Sequence, residues 1–314
     1  MPLSIFGFQA MWSPYMIGTL VFVIIVYFLV TIRWRNDFKE SEPLKKKEAV
    51  YFLLGIILLY VVKGSPIDLM SNITFTMHMV QMAFYLLLLP IFFIKGIPWW
   101  IWKVVVEFPV VDKIVKALTH PVVSVLGFAL AFSVYHLPFV FDNIKVDETL
   151  HGLASLALFL SAFFMYWPLV NEVPGQRKVK GLYKVGYIIA TAVVITPACA
   201  LIIFTKNPAY ATYTDGEAWL KAMALCVPDR TLASINTSVQ LSGPELFTNL
   251  SPLRDQQLGG VLMKIIQEII LGFILYFAFR EWWNDEHRLS EEEITAKALS
   301  DFQEKKETIK NRGM

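Results

Sequence analysis

A histidine, a glutamine and three methionines crowd one short stretch of an otherwise apolar segment. Residues 77–82 read MHMVQM, inside the run SNITFTMHMVQMAFYLLLLPIFFI. His78 and Met82 are four residues apart, and Met79 and Met82 are three apart, so each pair shares one face of a helix. Imidazole and thioether groups suit copper, and thioethers favour Cu(I). The stretch therefore predicts a metal-binding face built from His78, Met79 and Met82.

Two further histidines lie beside apolar segments that follow in the chain. His136 ends the fourth predicted span and His151 begins the fifth. With the orientation argued below, His78, His136 and His151 lie at similar depth on the outer side, and Glu148 is placed to orient an imidazole. A lone histidine or methionine in such a helix is more often structural. The metal-site hypothesis therefore depends on the three histidines sharing one depth.

The elements that must position these residues are membrane helices. The chain of 314 residues is 56% hydrophobic and 17% charged, which is more apolar and less charged than a typical soluble domain. A bilayer crossing needs about 20 mostly apolar residues. The stretches that qualify are about 14–32, 48–63 (which is short), 73–94, 120–138, 149–170, 183–204 and 258–280. We therefore predict an all-α, polytopic membrane protein with seven transmembrane helices.

The distribution of lysine and arginine predicts the orientation. These residues concentrate in the loops after the first, third and fifth predicted spans and in the C-terminal tail. The segment before the first span has none, and the two short loops on the other side hold only Lys63 and Lys145. Positive residues favour the cytoplasmic side. We expect the N-terminus outside, the C-terminus in the cytoplasm, and no cleaved signal peptide.

The same pass divides the chain into a membrane domain and a tail. Residues 1–283 form the predicted seven-span domain, which includes a long outer loop at 205–257. Residues 97–118 mix tryptophan, valine and lysine, a pattern that predicts a helix lying on the inner membrane surface. The charged segment 284–314 is predicted to be a cytoplasmic tail, either a solvated helix or disordered.

Other polar residues in the spans have competing explanations. Lys264 and Glu268 are four residues apart, and we expect an ion pair. A lysine in the seventh span also fits a retinal-binding protein, but the third span has no acidic counter-ion. Cys199 lies at the histidine depth, either as a ligand or as a small hydrophobe. Cys226 adds a second thiol, and no sequence motif of a soluble enzyme is present, so we expect no enzyme activity.

Three stretches resemble those of a known family. They are MHMVQMAFYLLLLP (77–90), YHLPFVFDNIKVDETLHGLASLALFLSAFFMYWPLV (135–170) and DQQLGGVLM (255–263). The chain resembles the CtaG membrane proteins of Gram-positive bacteria, of the Bacillus type, which are needed to assemble caa(3)-type cytochrome c oxidase. The resemblance implies a multi-pass protein of the bacterial plasma membrane. Its implied partners are oxidase subunits and the lipid bilayer, and a homodimer is left open.

The resemblance also implies a role for particular residues. His78, His136 and His151 correspond to recurrent histidines of the family, and copper, as Cu(I), is the implied cargo. Met82 and Ser155 stand where many members carry further histidines. The family's full histidine set is therefore not carried over intact.

Three functions stay open at this stage. The first is a copper metallochaperone that supplies a nascent oxidase subunit from a site near the outer leaflet. The second is a metal-free scaffold for oxidase subunits. The third is a haem-handling membrane protein, because histidines from neighbouring helices can ligate haem.

Overall fold

The chain folds into a bundle of helices. The computed structural model describes residues 1–228, 230–233 and 243–312, and none of these residues forms a β-strand. The helices that position the site are α1 (Gly7–Trp12), α2 (Pro14–Phe28), α3 (Lys46–Lys63), α4 (Pro66–Ile73), α5 (Phe75–Leu87), α6 (Leu89–Gly96), α7 (Trp99–Val106), α8 (Pro109–Leu118), α9 (Pro121–Tyr135), α10 (Pro138–Lys145), α11 (Glu148–Val170), α12 (Gly181–Ile203), α13 (Gly216–Met223) and α14 (Pro252–Arg312). The prediction of an all-α fold is confirmed for the described residues.

The described part of the chain contains between five and seven candidate membrane spans. Helical segments that pass by length and apolar composition are Leu3–Arg33, Phe75–Gly96, Glu148–Val170, Gly181–Ile203 and Pro252–Arg288. Two bent helix pairs raise the number to seven if each pair is one span: α3 with α4, bent by 41°, and α8 with α9, bent by 82°. The seven-span count and the orientation therefore stay predictions.

Prolines explain where the predicted spans are interrupted. Proline has no backbone N–H, and it disfavours helical conformation in the residue before it. The second predicted span, 48–63, is short because it corresponds to α3 alone, which ends at Lys63. Helix α4 then begins at Pro66 and runs in a different direction. Pro90 likewise lies in the first turn of a separate helix, so that α5 and α6 share the third predicted span.

The single interfacial helix predicted at 97–118 is wrong, because this segment forms two helices. Helix α7 ends at Val106 and α8 begins at Pro109. The proline ring cannot continue the preceding helix, which forces the break. Phe108 and Val110 remain exposed beside the break, as is typical of apolar side chains at a lipid interface.

The spanning helices pack in a closed ring. Helix α5 packs on α14, α14 on α12, α12 on α9, and α9 on α11, which returns to α5 and α6. Buried apolar side chains from all these helices form one continuous core. Helices α3 and α2 add to the outside of the ring, α3 against α6 and α2 against α3. The residues of the candidate site lie at one end of this ring.

Two predicted boundaries shift. Helix α14 begins at Pro252, inside the loop that was predicted for 205–257, and α13 lies within the same loop. Residues 229 and 234–242 of that loop lie outside the described residues. At the other end, α14 continues without a break to Arg312. The segment 284–312 is therefore helical, which is one of the two predicted forms.

Gly96 provides a test of the packing between α3 and α6. A Cβ atom at Gly96 would lie 2.5 Å from the backbone nitrogen of Phe52 and 2.7 Å from its Cα. Backbone atoms cannot move aside without displacing the helix, so we expect Gly96→Ala to lower the free energy of unfolding by about 1 to 3 kcal/mol. Chemical denaturation of the purified protein in detergent measures this change.

The matched control is Gly272→Ala in α14, where an added Cβ meets nothing within 4 Å. Alanine favours helix over glycine by about 1 kcal/mol, so this variant should be neutral or slightly more stable. Equal stability of the two variants would contradict the close contact at Gly96.

Candidate metal centre

His78 lies in a closed pocket of aromatic rings. Its side chain is only 1% exposed, and its ring centre is 5.1 Å from that of Phe141 and 6.0 Å from that of Tyr135. Within the described part of the chain, neither ring nitrogen of His78 has a hydrogen-bond partner. Leaving a buried polar group without a partner costs free energy. His78 is therefore the strongest ligand candidate in the structure.

His136 directly follows α9 and faces His78. Its Nδ1 lies 2.8 Å from the carbonyl oxygen of Phe132. A carbonyl only accepts, so Nδ1 carries the hydrogen and the lone pair is on Nε2. That Nε2 is buried and has no partner among the described residues. A backbone acceptor that fixes the tautomer in this way is typical of metal-binding histidines.

The spacing of the two rings fits a shared ion. The ring centres of His78 and His136 are 6.0 Å apart. With metal–nitrogen bonds of about 2.0 Å, two imidazoles on one metal have ring centres roughly 5 to 6.5 Å apart. The two side chains therefore have the separation and the free nitrogens that a two-coordinate ion requires.

His151 lies near this pair, at the start of α11. Its Nδ1 is buried without a partner among the described residues. No three histidine, cysteine or acidic side chains of the described residues group tightly enough to hold one ion. Glu148, expected to orient an imidazole, is exposed, and the Phe132 carbonyl orients His136 instead.

The two predicted methionine ligands are both buried in the core. Met79 packs toward α14, because its Cγ lies 3.1 Å from the position of a Cβ at Gly259. Met82 lies one turn after His78 on α5, with 1% of its side chain exposed. Their roles as ligands stay predictions.

The segment after α12 covers the histidines. The Tyr210 hydroxyl donates to the carbonyl of His136 at 2.8 Å, and the Tyr210 ring stacks on Phe75 at 4.6 Å. The Tyr213 hydroxyl donates to the carbonyl of Ser71 at 2.8 Å. We call residues 209–213 the cover segment. The sequence predicted only a loop here, although two tyrosines in a polar run were the available signal.

Asp142 anchors the cover segment. Its carboxylate accepts hydrogen bonds from the backbone N–H groups of Ala211 and Thr212, both at 3.0 Å, and from the Thr212 hydroxyl at 2.7 Å. This aspartate comes from α10, directly after His136 in the chain. The short stretch 136–142 therefore holds both a candidate ligand, at the end of α9, and the anchor of the cover segment, on α10.

A family model for the cytochrome c oxidase caa3 assembly factor (Caa3_CtaG) matches residues 25–285. The chain belongs to this family. The matched range covers most of the chain and contains all three histidines and the cover segment, so the resemblance is confirmed. No curated protein and no solved structure matched the chain.

In this caa3 assembly-factor chain, the DQQLGG motif joins α14 to α5 and α12. The Asp255 carboxylate accepts from the backbone N–H groups of Phe75 at 2.7 Å and Thr76 at 3.2 Å. It therefore caps the helix that carries His78. Added Cβ atoms at Gly259 and Gly260 would lie within 3 Å of neighbouring side chains. The two glycines therefore let α14 pack closely against α5 and α12.

A buried polar network adjoins the histidines. Lys145 is 1% exposed, and its Nζ donates to Asn72 Oδ1 at 2.7 Å, while Asn72 Nδ2 donates to Cys226 Sγ at 2.8 Å. Burial lowers the pKa of Lys145 to about 8 and raises the pKa of the Cys226 thiol. The Cys226 thiol also contacts the Asp68 carboxylate, with Sγ 3.6 Å from Oδ2. Gln81 of the MHMVQM stretch joins this network because its Nε2 donates to Asp68 Oδ1 at 2.6 Å. The contacts of Gln81 are therefore structural.

The lysine of the last span and the cysteine of α12 have structural surroundings. Lys264 and Glu268 form the expected ion pair at 2.6 Å, and Lys264 also donates to Thr196 Oγ1 at 2.6 Å. Cys199 is a buried, free thiol. The ion pair confirms the structural explanation of the lysine in the last span.

Asp255 offers a test of how α5 is held. Replacing it by alanine leaves two N–H groups at the start of α5 without their acceptor. We expect Asp255→Ala to lower the free energy of unfolding by about 2 to 4 kcal/mol. The measurement is denaturation of the purified chain in detergent.

Asp215→Ala is the matched control, because Asp215 caps α13 through one bond of 2.9 Å to Ala218 N. This exposed cap should be worth only about 1 kcal/mol. If the two variants lose equal stability, Asp255 does not hold α5 as the structure indicates.

Proposed function

We propose that this assembly factor binds Cu(I) between His78 and His136 and delivers it to a nascent subunit of caa(3)-type cytochrome c oxidase. The observation that carries the proposal is the unpartnered, buried imidazole of His78 beside the free Nε2 of His136. Family membership supplies the oxidase as the destination. Copper is cargo in this proposal and not a resident cofactor.

The donor set favours Cu(I) over ions that need more ligands. Cu(I) accepts two or three ligands, and imidazole nitrogen and thioether sulfur both suit it. His78 and His136 would supply two nitrogens, a number of ligands that Cu(I) accepts. A site with so few ligands can release its ion by exchange, since a ligand on the receiving subunit binds before the first ligand leaves.

Transfer requires access to the histidines. Both free nitrogens are buried, and the Tyr210 hydroxyl of the cover segment donates to the carbonyl of His136 while its ring lies 4.7 Å from that of Phe141. Copper therefore reaches the pair after the cover segment moves, or through the bilayer side of the bundle. The proposal places uptake at the end of the ring that we expect to face outside.

The alternative haem-handling function is less compatible with the packing. The Phe141 ring centre is 5.1 Å from that of His78 and 6.2 Å from that of His136. Tyr135 lies on the His78 ring as well, at 6.0 Å. A flat macrocycle between the histidines would have to displace these rings, whereas a single ion would not.

The test is copper retained by the full-length protein after loading with Cu(I) in detergent and removal of loosely bound metal. We expect about one copper per chain for the wild type, and loss of retained copper in His78→Ala and in His136→Ala. His120→Ala and His287→Ala are matched controls, because these histidines lie away from the pair. They should retain wild-type copper.

The cellular readout separates the remaining alternatives. Replacing His78, His136 and His151 together should abolish caa(3) oxidase activity while the membrane level of the assembly factor is unchanged. Full oxidase activity in this triple variant would sink the copper proposal and favour a metal-free scaffold. A Soret band in the purified wild type would instead favour haem.

A further inference from the structure

A polar cavity lies at the opposite end of the ring, which we expect to face the cytoplasm. It occupies roughly 440 Å³ between the ends of α6, α11 and α12 and the side of α14. Four lysines and three acidic residues line it. Whether this cavity attracts an anion depends on how these charges are paired.

Most of the lining charges neutralise one another. Lys95 pairs with Glu172 at 3.5 Å, and Lys184 pairs with Glu281 at 2.7 Å. The first pair joins α6 to the connection after α11, and the second joins α12 to α14, so both brace the walls of the cavity. Two of the four lysines are therefore already compensated.

The remaining charges leave a positive excess. The third acidic residue, Asp285, has its own partner on α14, because its Oδ1 lies 4.0 Å from Nη2 of Arg288. Lys178 and Lys180 are exposed and form no ion pair with any residue that the structure describes. Both belong to the connection between α11 and α12. The cavity therefore presents two uncompensated ammonium groups at its rim.

Asn171 adds an unused acceptor inside the cavity. Its side chain is only 5% exposed, and its Nδ2 donates to the carbonyls of Trp167 at 2.7 Å and Arg177 at 3.0 Å. These two bonds fix the orientation of the amide group. Its oxygen, Oδ1, is left as a free acceptor, because it has no partner among the described residues. A hydroxyl group on a ligand would satisfy it.

A mostly apolar groove continues from the polar cavity. It has a volume of about 910 Å³ and shares Lys178, Val179 and Lys180 with the polar cavity. Leu182 and Gly186 of α12 line its wall. The groove runs along the face of a membrane helix, where lipid chains are the surrounding solvent.

We propose that the two cavities together bind one anionic phospholipid with a hydroxylated headgroup, such as phosphatidylglycerol. The phosphate lies between Lys178 and Lys180, a headgroup hydroxyl donates to Asn171 Oδ1, and an acyl chain follows the groove past Gly186. Basic pockets between membrane helices at the cytoplasmic surface recognise anionic lipids in this way. This site is independent of the copper proposal.

The test is native mass spectrometry of the full chain released from nanodiscs that contain phosphatidylglycerol and phosphatidylcholine. The double variant Lys178→Gln with Lys180→Gln should weaken retention of phosphatidylglycerol by about tenfold or more. Lys46→Gln with Lys47→Gln is the matched control, since these exposed lysines lie at the same end, at the start of α3. It should leave retention unchanged.

A second pair of variants tests the groove. Gly186→Leu fills it, and an added Cβ there meets nothing within 4 Å, so the fold should tolerate the change. Gly272→Leu, at an equally open position on α14, is its control. We expect Gly186→Leu to reduce retained phosphatidylglycerol and Gly272→Leu to have no effect.

Three outcomes would overturn the lipid proposal. If the wild type retained phosphatidylcholine as well as phosphatidylglycerol, the negative charge of the lipid would have no role in binding. Normal retention by Gly186→Leu would remove the acyl chain from the groove. Displacement of the lipid by millimolar inorganic phosphate would make the site one for a free anion.

Discussion

The capping of α5 by Asp255 is the interaction on which the candidate site depends. The first N–H groups of a helix have no partner within the helix, and a bilayer offers no water to replace one. The last spanning helix supplies the acceptor, through bonds of 2.7 and 3.2 Å to Phe75 and Thr76. Gly259 and Gly260 let α14 approach closely enough for this contact. The same contact between α14 and α5 therefore closes the ring of helices and positions the helix that carries His78.

Helix breaks place the second histidine. The His-Leu-Pro sequence ends α9 at Tyr135, because Pro138 must begin a new helix. The Phe132 carbonyl in the last turn of α9 accepts the backbone N–H of His136 at 3.2 Å and also the Nδ1–H of its ring at 2.8 Å. The ring bond keeps the hydrogen on Nδ1 and leaves Nε2 as a free lone-pair donor, in a ring whose centre is 6.0 Å from that of His78. The same break starts α10, whose Asp142 anchors the cover segment. One short stretch of chain therefore positions the His136 ring, fixes its tautomer and holds the cover segment in place.

The two ends of the ring have different chemistry. At the histidine end, aromatic rings surround neutral nitrogen donors and exclude water, which suits a soft ion that must be protected and then released. At the other end, Lys95 and Lys184 are paired, whereas Lys178 and Lys180 have no ion pair among the described residues and lie beside an apolar groove, which suits an amphiphilic anion. Under the two proposals, lipid contacts at one end would hold the assembly factor in the bilayer while the other end presents copper to the oxidase subunit.

The sequence by itself determined the membrane class, the helical segments, the ion pair of Lys264 with Glu268 and the family, because hydropathy and short motifs are local properties. It also indicated that three histidines share one depth. Only the tertiary structure decided that His78 and His136 face each other at 6.0 Å, that Met79 packs toward α14, and that a predicted loop covers the site. It also split the helix predicted at 97–118. These features depend on contacts between residues far apart in the chain, such as Asp255 with Phe75. They also depend on the angle at which the helices meet at each proline. The local sequence pattern specifies neither the contacts nor the angles.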